Sequence, residues 1–168
     1  RQNFLDCYID GNTDYIFGNT IAVFDSCDIY PRDRLDGRDG GYVTAANTQA
    51  GQPFGYVFRN CTILQNLGIT SYTLGRPWQN DQTTRPGARA HNKVVFLNTT
   101  MGSSIRPEGW SSWNGGTDTR VITYAEYRSR NFDGSLRDVS KRVAWSRQLD
   151  SLQAAGYEND SSIFGSWN

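Results

Sequence analysis

Apolar and polar positions in the first hundred residues follow a recurring six-residue pattern. Phe4-Leu5-Asp6-Cys7-Tyr8-Ile9, Phe24-Asp25-Ser26-Cys27-Asp28-Ile29 and Phe58-Arg59-Asn60-Cys61-Thr62-Ile63 share one form: phenylalanine, a free position, a polar residue, cysteine, a free position, isoleucine. Phe96-Leu97-Asn98-Thr99-Thr100-Met101 is a degenerate fourth copy. Valine precedes the phenylalanine in the last three, at Val23, Val57 and Val95. Successive copies begin 20, 34 and 38 residues apart. Phenylalanine and cysteine stand three apart, so a straight strand would send them to opposite faces. A one-residue bend at the polar position lets both point inward. Asp6, Ser26, Asn60 and Asn98 occupy that position, and Asp and Asn tolerate the left-handed conformation a tight corner needs. Strand, corner, strand, repeated at a minimum period near 20 residues, predicts an all-β chain folded as a parallel β-helix. Longer periods are coils carrying loops. Each coil buries its apolar face only by stacking on the next.

Beyond residue 101 the pattern loosens. Val121 to Tyr127 reads as one more strand, and Arg142 to Trp145 as another. Ser146 to Ala155 is expected to form one short helix, capped at Ser146, ended by Gly156 and placed to cover the open end of the solenoid. Glu158 to Asn168 is polar and expected to be irregular. The organisation is thus a single domain over 1–168, with coils and loops to residue 145 and a C-terminal helix and tail from 146.

Composition narrows the function classes. Seventeen basic residues cancel 17 acidic ones, which argues against nucleic acid as the main partner and against a polybasic membrane grip. No apolar run approaches the roughly 18 residues of a membrane helix. The three cysteines are too few for a disulfide scaffold, and their odd number leaves at least one unpaired. Equivalent positions in adjacent coils lie about 4.8 Å apart, so Cys7, Cys27 and Cys61 could pair or stack as free thiols. The stack of small hydrophobes is the expected arrangement. No CxxC pair occurs and His91 is the one histidine, so no zinc site is expected. The chain begins at Arg1, without methionine or a signal-peptide pattern.

Three segments carry candidate chemistry. In Gly11-Asn12-Thr13-Asp14-Tyr15-Ile16-Phe17-Gly18-Asn19, a carboxylate precedes a strongly β-forming triplet between glycines. Alternation would put Tyr15 and Phe17 on one face and Asp14 and Ile16 on the other. Asp14 is also an ordinary turn residue. In Thr73-Leu74-Gly75-Arg76-Pro77-Trp78 the proline excludes a central strand and holds a guanidinium and an indole on a rigid turn. Arg76 has the fork that grips a carboxylate, and Trp78 the flat face that stacks on a sugar. A surface Arg–Trp stack is the plainer alternative. Pro107-Glu108-Gly109-Trp110-Ser111-Ser112-Trp113 places two tryptophans in a Gly/Ser-rich loop. They suit either the rim of a groove or a cap over the core.

Taken in order on a β-helix pattern, GNTDYIFGN, LGRPW and PEGWSSW resemble the pectin methylesterases, or pectinesterases, of carbohydrate esterase family 8. Arg1 to Cys7 resembles the lead-in to that family's DFIFG motif, and YAEY with the stretch from Leu149 to Trp167 resembles its C-terminal region. The likeness covers nearly the whole chain. It implies a right-handed parallel β-helix, hydrolysis of galacturonate methyl esters in pectin with release of methanol, and no metal or organic cofactor. By matching motif positions it implies Asp14 as nucleophile and Arg76 as the residue that holds it. Phe17, Trp78 and Trp110 or Trp113 become the substrate contacts. The expected partner is pectin, for a monomer secreted or held in the cell envelope.

The residue types suit this reaction. A carboxylate is a weak nucleophile and must be ionised, positioned and partly desolvated. Its attack on the ester creates an oxyanion that needs preorganised donors. A second carboxyl group must protonate the leaving methoxide and then activate water. The family carries that acid in a Gln-Asp-Thr motif about twenty residues before the nucleophile, with oxyanion glutamines there and further upstream. Thirteen residues precede Asp14 here, and Gln2 matches the lead-in rather than an oxyanion donor. The resemblance therefore implies the C-terminal portion of an esterase, inactive as an isolated chain. Smaller departures are Tyr15 for the commoner Phe, Thr44-Ala45-Ala46-Asn47-Thr48-Gln49 for T-A-Q-G-R, and a long loop from Gln79 to Lys93. That loop contains Arg85, Arg89, His91 and Lys93, a basic set that could meet demethylated pectin or simply face solvent. Asn60, Asn98 and Asn159 match the glycosylation pattern, a weak three-residue signal. A β-helix polysaccharide lyase and a non-catalytic polysaccharide-binding β-helix are the competing readings.

Overall fold

The computed structural model describes residues 1–79, 89–113 and 116–165. Its strands wind in successive coils. The first coil contains β1 (Gln2–Leu5), β2 (Tyr8–Gly11) and β3 (Ile16–Gly18). The second contains β4 (Ala22–Asp25), β5 (Asp28–Pro31) and β6 (Gly41–Ala46). The third contains β7 (Tyr56–Arg59), β8 (Thr62–Ile63) and β9 (Tyr72–Gly75). The fourth contains β10 (Lys93–Leu97) and β11 (Thr100–Met101), and the last β12 (Thr123–Tyr127) and β13 (Arg147–Gln148). Three sheets result, ordered β1-β4-β7-β10-β12-β13, β11-β8-β5-β2 and β3-β6-β9. Among the described residues, every pairing of these strands is parallel, as a parallel β-helix requires.

The corners fall where the polar residues predict. Asp6, Ser26, Asn60 and Asn98 have φ of 51°, 55°, 54° and 49°, so phenylalanine and cysteine both turn inward. Register places Phe4 on Phe24, Phe24 on Phe58 and Phe58 on Phe96. Their rings stack at 4.8, 4.5 and 4.3 Å. Each buried ring contributes about 1.5–3 kcal/mol through lost apolar surface, and each ring pair about 0.5–1.5 kcal/mol more. The three cysteines are free thiols. Cys27 and Cys61 are buried, and their Sγ atoms donate to the Phe4 and Phe24 carbonyls. Asn60 and Asn98 thus serve as corners, while Asn159 caps a helix by accepting from Ser161 N–H.

The C-terminal region departs from expectation. Arg142 to Trp145 is a turn rather than a strand, and the short strand lies just beyond it at β13. The helix α1 spans Ser151–Ala155, shorter than predicted. Its cap is Asp150, not Ser146, because Asp150 and Gln153 bond reciprocally to each other's backbone N–H. A second helix, α2 (Asp160–Phe164), forms where an irregular tail was expected. Ala154, Ile163 and Phe164 of these helices bury against Val23, Val57, Val95, Leu97 and Ala125. Those residues lie on the outer face of the six-stranded sheet, so the helices cover its flank rather than the end of the solenoid. Arg59 fastens α2, donating to the Glu158 carbonyl at 2.8 Å and to Asp160 at 2.7 Å.

Candidate active site

The site forms on the outer face of the β3-β6-β9 sheet, and each of four coils contributes one piece. Asp14 comes from the first coil, just before β3. Its φ is 53°, a left-handed conformation that costs a non-glycine residue roughly 1 kcal/mol. Its N–H is held by the Tyr42 carbonyl at 2.8 Å. The turn also resets the expected alternation: Ile16 enters the core, Tyr15 packs against it, and Phe17 stands 65% exposed. Tyr15 and Phe17 therefore do not share a face.

Arg76 follows β9 in the third coil. Its N–H donates to the Thr44 carbonyl, and the Trp78 N–H to the Ala46 carbonyl, both at 3.0 Å. These bonds carry the β6–β9 ladder through Pro77, which has no N–H of its own. Gly75 is required because a Cβ there would lie 2.0 Å from the Thr44 hydroxyl. The Arg76 guanidinium grips Asp14 with both prongs, Nε to Oδ1 at 3.0 Å and Nη2 to Oδ2 at 2.5 Å. Tyr42 and Trp113 each present a ring face to it, with centroids 3.9 and 4.1 Å from Cζ. The Arg76 and Asp14 side chains are only 13% and 21% exposed. Fork and rings together fix the orientation of both carboxylate oxygens.

Aromatic rings flank the carboxylate. Trp78 lies 6.3 Å from Phe17 and 6.3 Å from Trp113, nearly parallel to the latter. With Thr13, Asp14 and Ala45 they line a depression of about 360 Å³. Asp14, Arg76, Phe17, Trp78 and Trp113 are therefore brought together. Trp110 is not: it is 2% exposed and packs between Phe96 and Tyr124, at 5.8 and 4.7 Å. Trp110 bridges to Gly75 as an extra strand position and turns its ring inward. Trp113, three residues on, lies beyond that bridge and faces the groove.

Tyr42 escaped the sequence reading. The only signal was an aromatic at an outward position of the predicted coil between those of Asp14 and Arg76. Of the basic loop, Arg85 lies outside the described residues. Lys93 is half-buried, and its ammonium donates to the Gln52 and Pro53 carbonyls at 2.7 and 3.0 Å.

Chemically, the arrangement offers an oriented carboxylate beside an apolar, ring-lined surface suited to a flat, weakly polar group. The pectinesterase family model matches residues 1–165, and the chain belongs to the pectinesterase family. Pectinesterase 1 of Arabidopsis thaliana is 35% identical over 147 residues, covering 86% of this chain and 23% of its own length. Probable pectinesterase 8 of the same plant is 35% identical over 171 residues, covering 98% and 39%. Among solved structures, pectin methylesterase from carrot superposes with a TM-score of 0.78 at 27% identity, over 96% of this chain and 49% of that one. A pectin methylesterase in complex with a hexasaccharide superposes at 0.73 with 30% identity, over 99% and 51%. The chain spans roughly a quarter to a half of the length of these relatives.

Proposed function

We propose that this chain carries the nucleophilic half of a pectin methylesterase site. Asp14 attacks the carbonyl carbon of a methyl-esterified galacturonate, and the ester C–O bond breaks to give methanol and an acyl anhydride on Asp14. Water then cleaves the anhydride and restores the carboxylate. Arg76 holds Asp14 in line. Phe17, Trp78 and Trp113 receive the sugar ring and methyl group. The bidentate Arg76–Asp14 pair beside three rings, in a chain of this family, is the observation that carries this reading.

The residues lining the depression include Asp14 as their sole carboxylate. The acid that protonates methoxide and the oxyanion donors are supplied, in this proposal, from outside these 168 residues. They would come from a surface that stacks on the first coil beside Asp14. Pectin as substrate places the working protein outside the cell or in its envelope. Among the described residues, no helix is long and apolar enough to cross a membrane.

The test is methanol release from highly methylated pectin, by this chain alone and by the complete protein that carries it. Activity in the complete protein only is the expected result. There, Arg76→Lys should lower kcat/KM by roughly 100-fold, because a point charge cannot reproduce the fork and the nucleophile drifts out of line. A loss below threefold would remove Arg76 from the machinery.

A further inference from the structure

The Asp14 site and the last coil of the solenoid meet in one loop. Residues 106–113 run beside β9 and end at Trp113. On the site side the loop is bonded to β9 and its neighbours. Arg106 N–H donates to the Tyr72 carbonyl at 2.9 Å, Leu74 N–H to the Gly109 carbonyl at 2.7 Å, and Ser111 N–H to the Gly75 carbonyl at 3.0 Å. Arg76 follows Gly75 directly, and the Trp113 ring lies 4.1 Å from its Cζ.

On its other side the last coil holds the loop. Arg142 Nη1 donates to the Arg106 and Pro107 carbonyls at 3.2 and 3.0 Å, and Val143 N–H to the Glu108 carbonyl at 3.1 Å. Three successive carbonyls are thus bound by two adjacent residues. Gly109 comes next, at φ 71°, and a Cβ there would lie 2.4 Å from Arg142 Cδ. Glycine lets the loop close onto the arginine stem. Arg142 is itself fixed: its side chain is 3% exposed, and Nε and Nη2 fork the fully buried Glu126 at 2.7 and 3.0 Å.

Glu126 takes the ladder position opposite Phe96. A further phenylalanine there would continue the stack without the desolvation cost of a buried ion pair. A ring has no donors for carbonyls, however. A guanidinium anchored by a carboxylate points in one direction and keeps a prong for the loop. We infer that Arg142 is a positioning residue for the site: anchored on Glu126, it holds residues 106–109, and through them keeps Trp113 on the Arg76 guanidinium that grips Asp14. The consequence for turnover rests on the pectin reading above; the consequence for Arg76 does not.

The experiment uses the complete protein that carries this chain, labelled with ¹⁵N-arginine. The Arg76 Nε–H signal is identified by its absence in Arg76→Lys, and the Arg59 backbone N–H in β7 serves as the internal control. Arg142→Lys keeps a charge for Glu126 but cannot fork it and reach both carbonyls at once. Hydrogen exchange at Arg76 Nε–H should become about tenfold faster, with Arg59 unchanged. If Arg142→Lys loses its cooperative melt, Glu126→Gln takes its place, with a smaller acceleration in the same direction. No change at Arg76, or equal acceleration at Arg76 and Arg59, would overturn the inference. Methanol release then closes a double-mutant cycle. Arg142→Lys should lower kcat/KM about tenfold, and adding it to Trp113→Ala should cost less than about twofold beyond Trp113→Ala alone. Losses that multiply would mean that Arg142 does not act through Trp113. If the complete protein releases no methanol, the pectin reading fails, and the Arg76 signal still decides the positioning role.

Discussion

The two ends of the solenoid finish the same core in opposite ways. At the first coil the inward residues Phe4, Cys7, Ile9 and Tyr15 are only partly buried, although the matching Phe24, Cys27 and Ile29 one coil on are fully covered. Phe4, Ile9, Tyr15 and Ile16 line an open apolar depression of about 250 Å³. At the last coil the phenylalanine series stops: Glu126 stands opposite Phe96. It is fully buried, forks with Arg142 at 2.7 and 3.0 Å, and accepts from the Ser129 hydroxyl at 2.8 Å. Arg142 also donates to the Arg106 and Pro107 carbonyls at 3.2 and 3.0 Å. The far end is thus closed by a satisfied polar network that ties the loop leading to Trp110. The near end leaves apolar rings uncovered, and Asp14 lies on that coil. Asp14 and the partly uncovered core therefore share one edge of the solenoid.

The largest expected effect lies at the closed end. Glu126→Ala leaves Arg142 buried and uncompensated, which should cost about 3–5 kcal/mol in urea denaturation. A loss under 1 kcal/mol would mean that this end is held by the helices and not by the ion pair. Next comes the contrast within the ladder. Phe58→Ala opens a cavity among stacked rings and should cost about 3–5 kcal/mol, whereas Phe4→Ala, already half in water, should cost about 2 kcal/mol less. Equal costs would contradict an uncovered first coil. The smallest effect is chemical. Burial pushes the Cys61 thiol up to about 12, so it stays protonated and shielded at pH 8. Iodoacetamide at that pH should label Cys7 first and spare Cys27 and Cys61 until the chain is denatured. Uniform labelling of the native chain would show that the ladder opens readily.

The corners were legible because the residues that tolerate positive φ are few, and three of them, Asp6, Asn60 and Asn98, recur with Ser26 at one place in the repeat. Arg128, at φ 52°, is a fifth corner that carries no such signal, and Glu126 breaks the phenylalanine series just before it. The helix start was misplaced because Ser146 and Asp150 are both plausible caps. Only the reciprocal bond to Gln153 decides between them. Trp110 and Trp113 could not be told apart from their spacing, since the inward turn of Trp110 depends on its bridge to Gly75 from another coil. Tyr42 was invisible for a related reason. It gains a role only when stacking sets it between Asp14 and Arg76, residues 62 apart in sequence.

Asp14 as nucleophile is most directly tested by methanol release from highly methylated pectin, comparing the complete protein with its Asp14→Asn variant. The amide preserves shape and removes the charge that attacks, so the rate should fall by roughly 10⁴-fold while the melting transition stays in place. An unchanged rate in a folded Asp14→Asn protein would contradict the nucleophile assignment and move the chemistry away from the Arg76 fork.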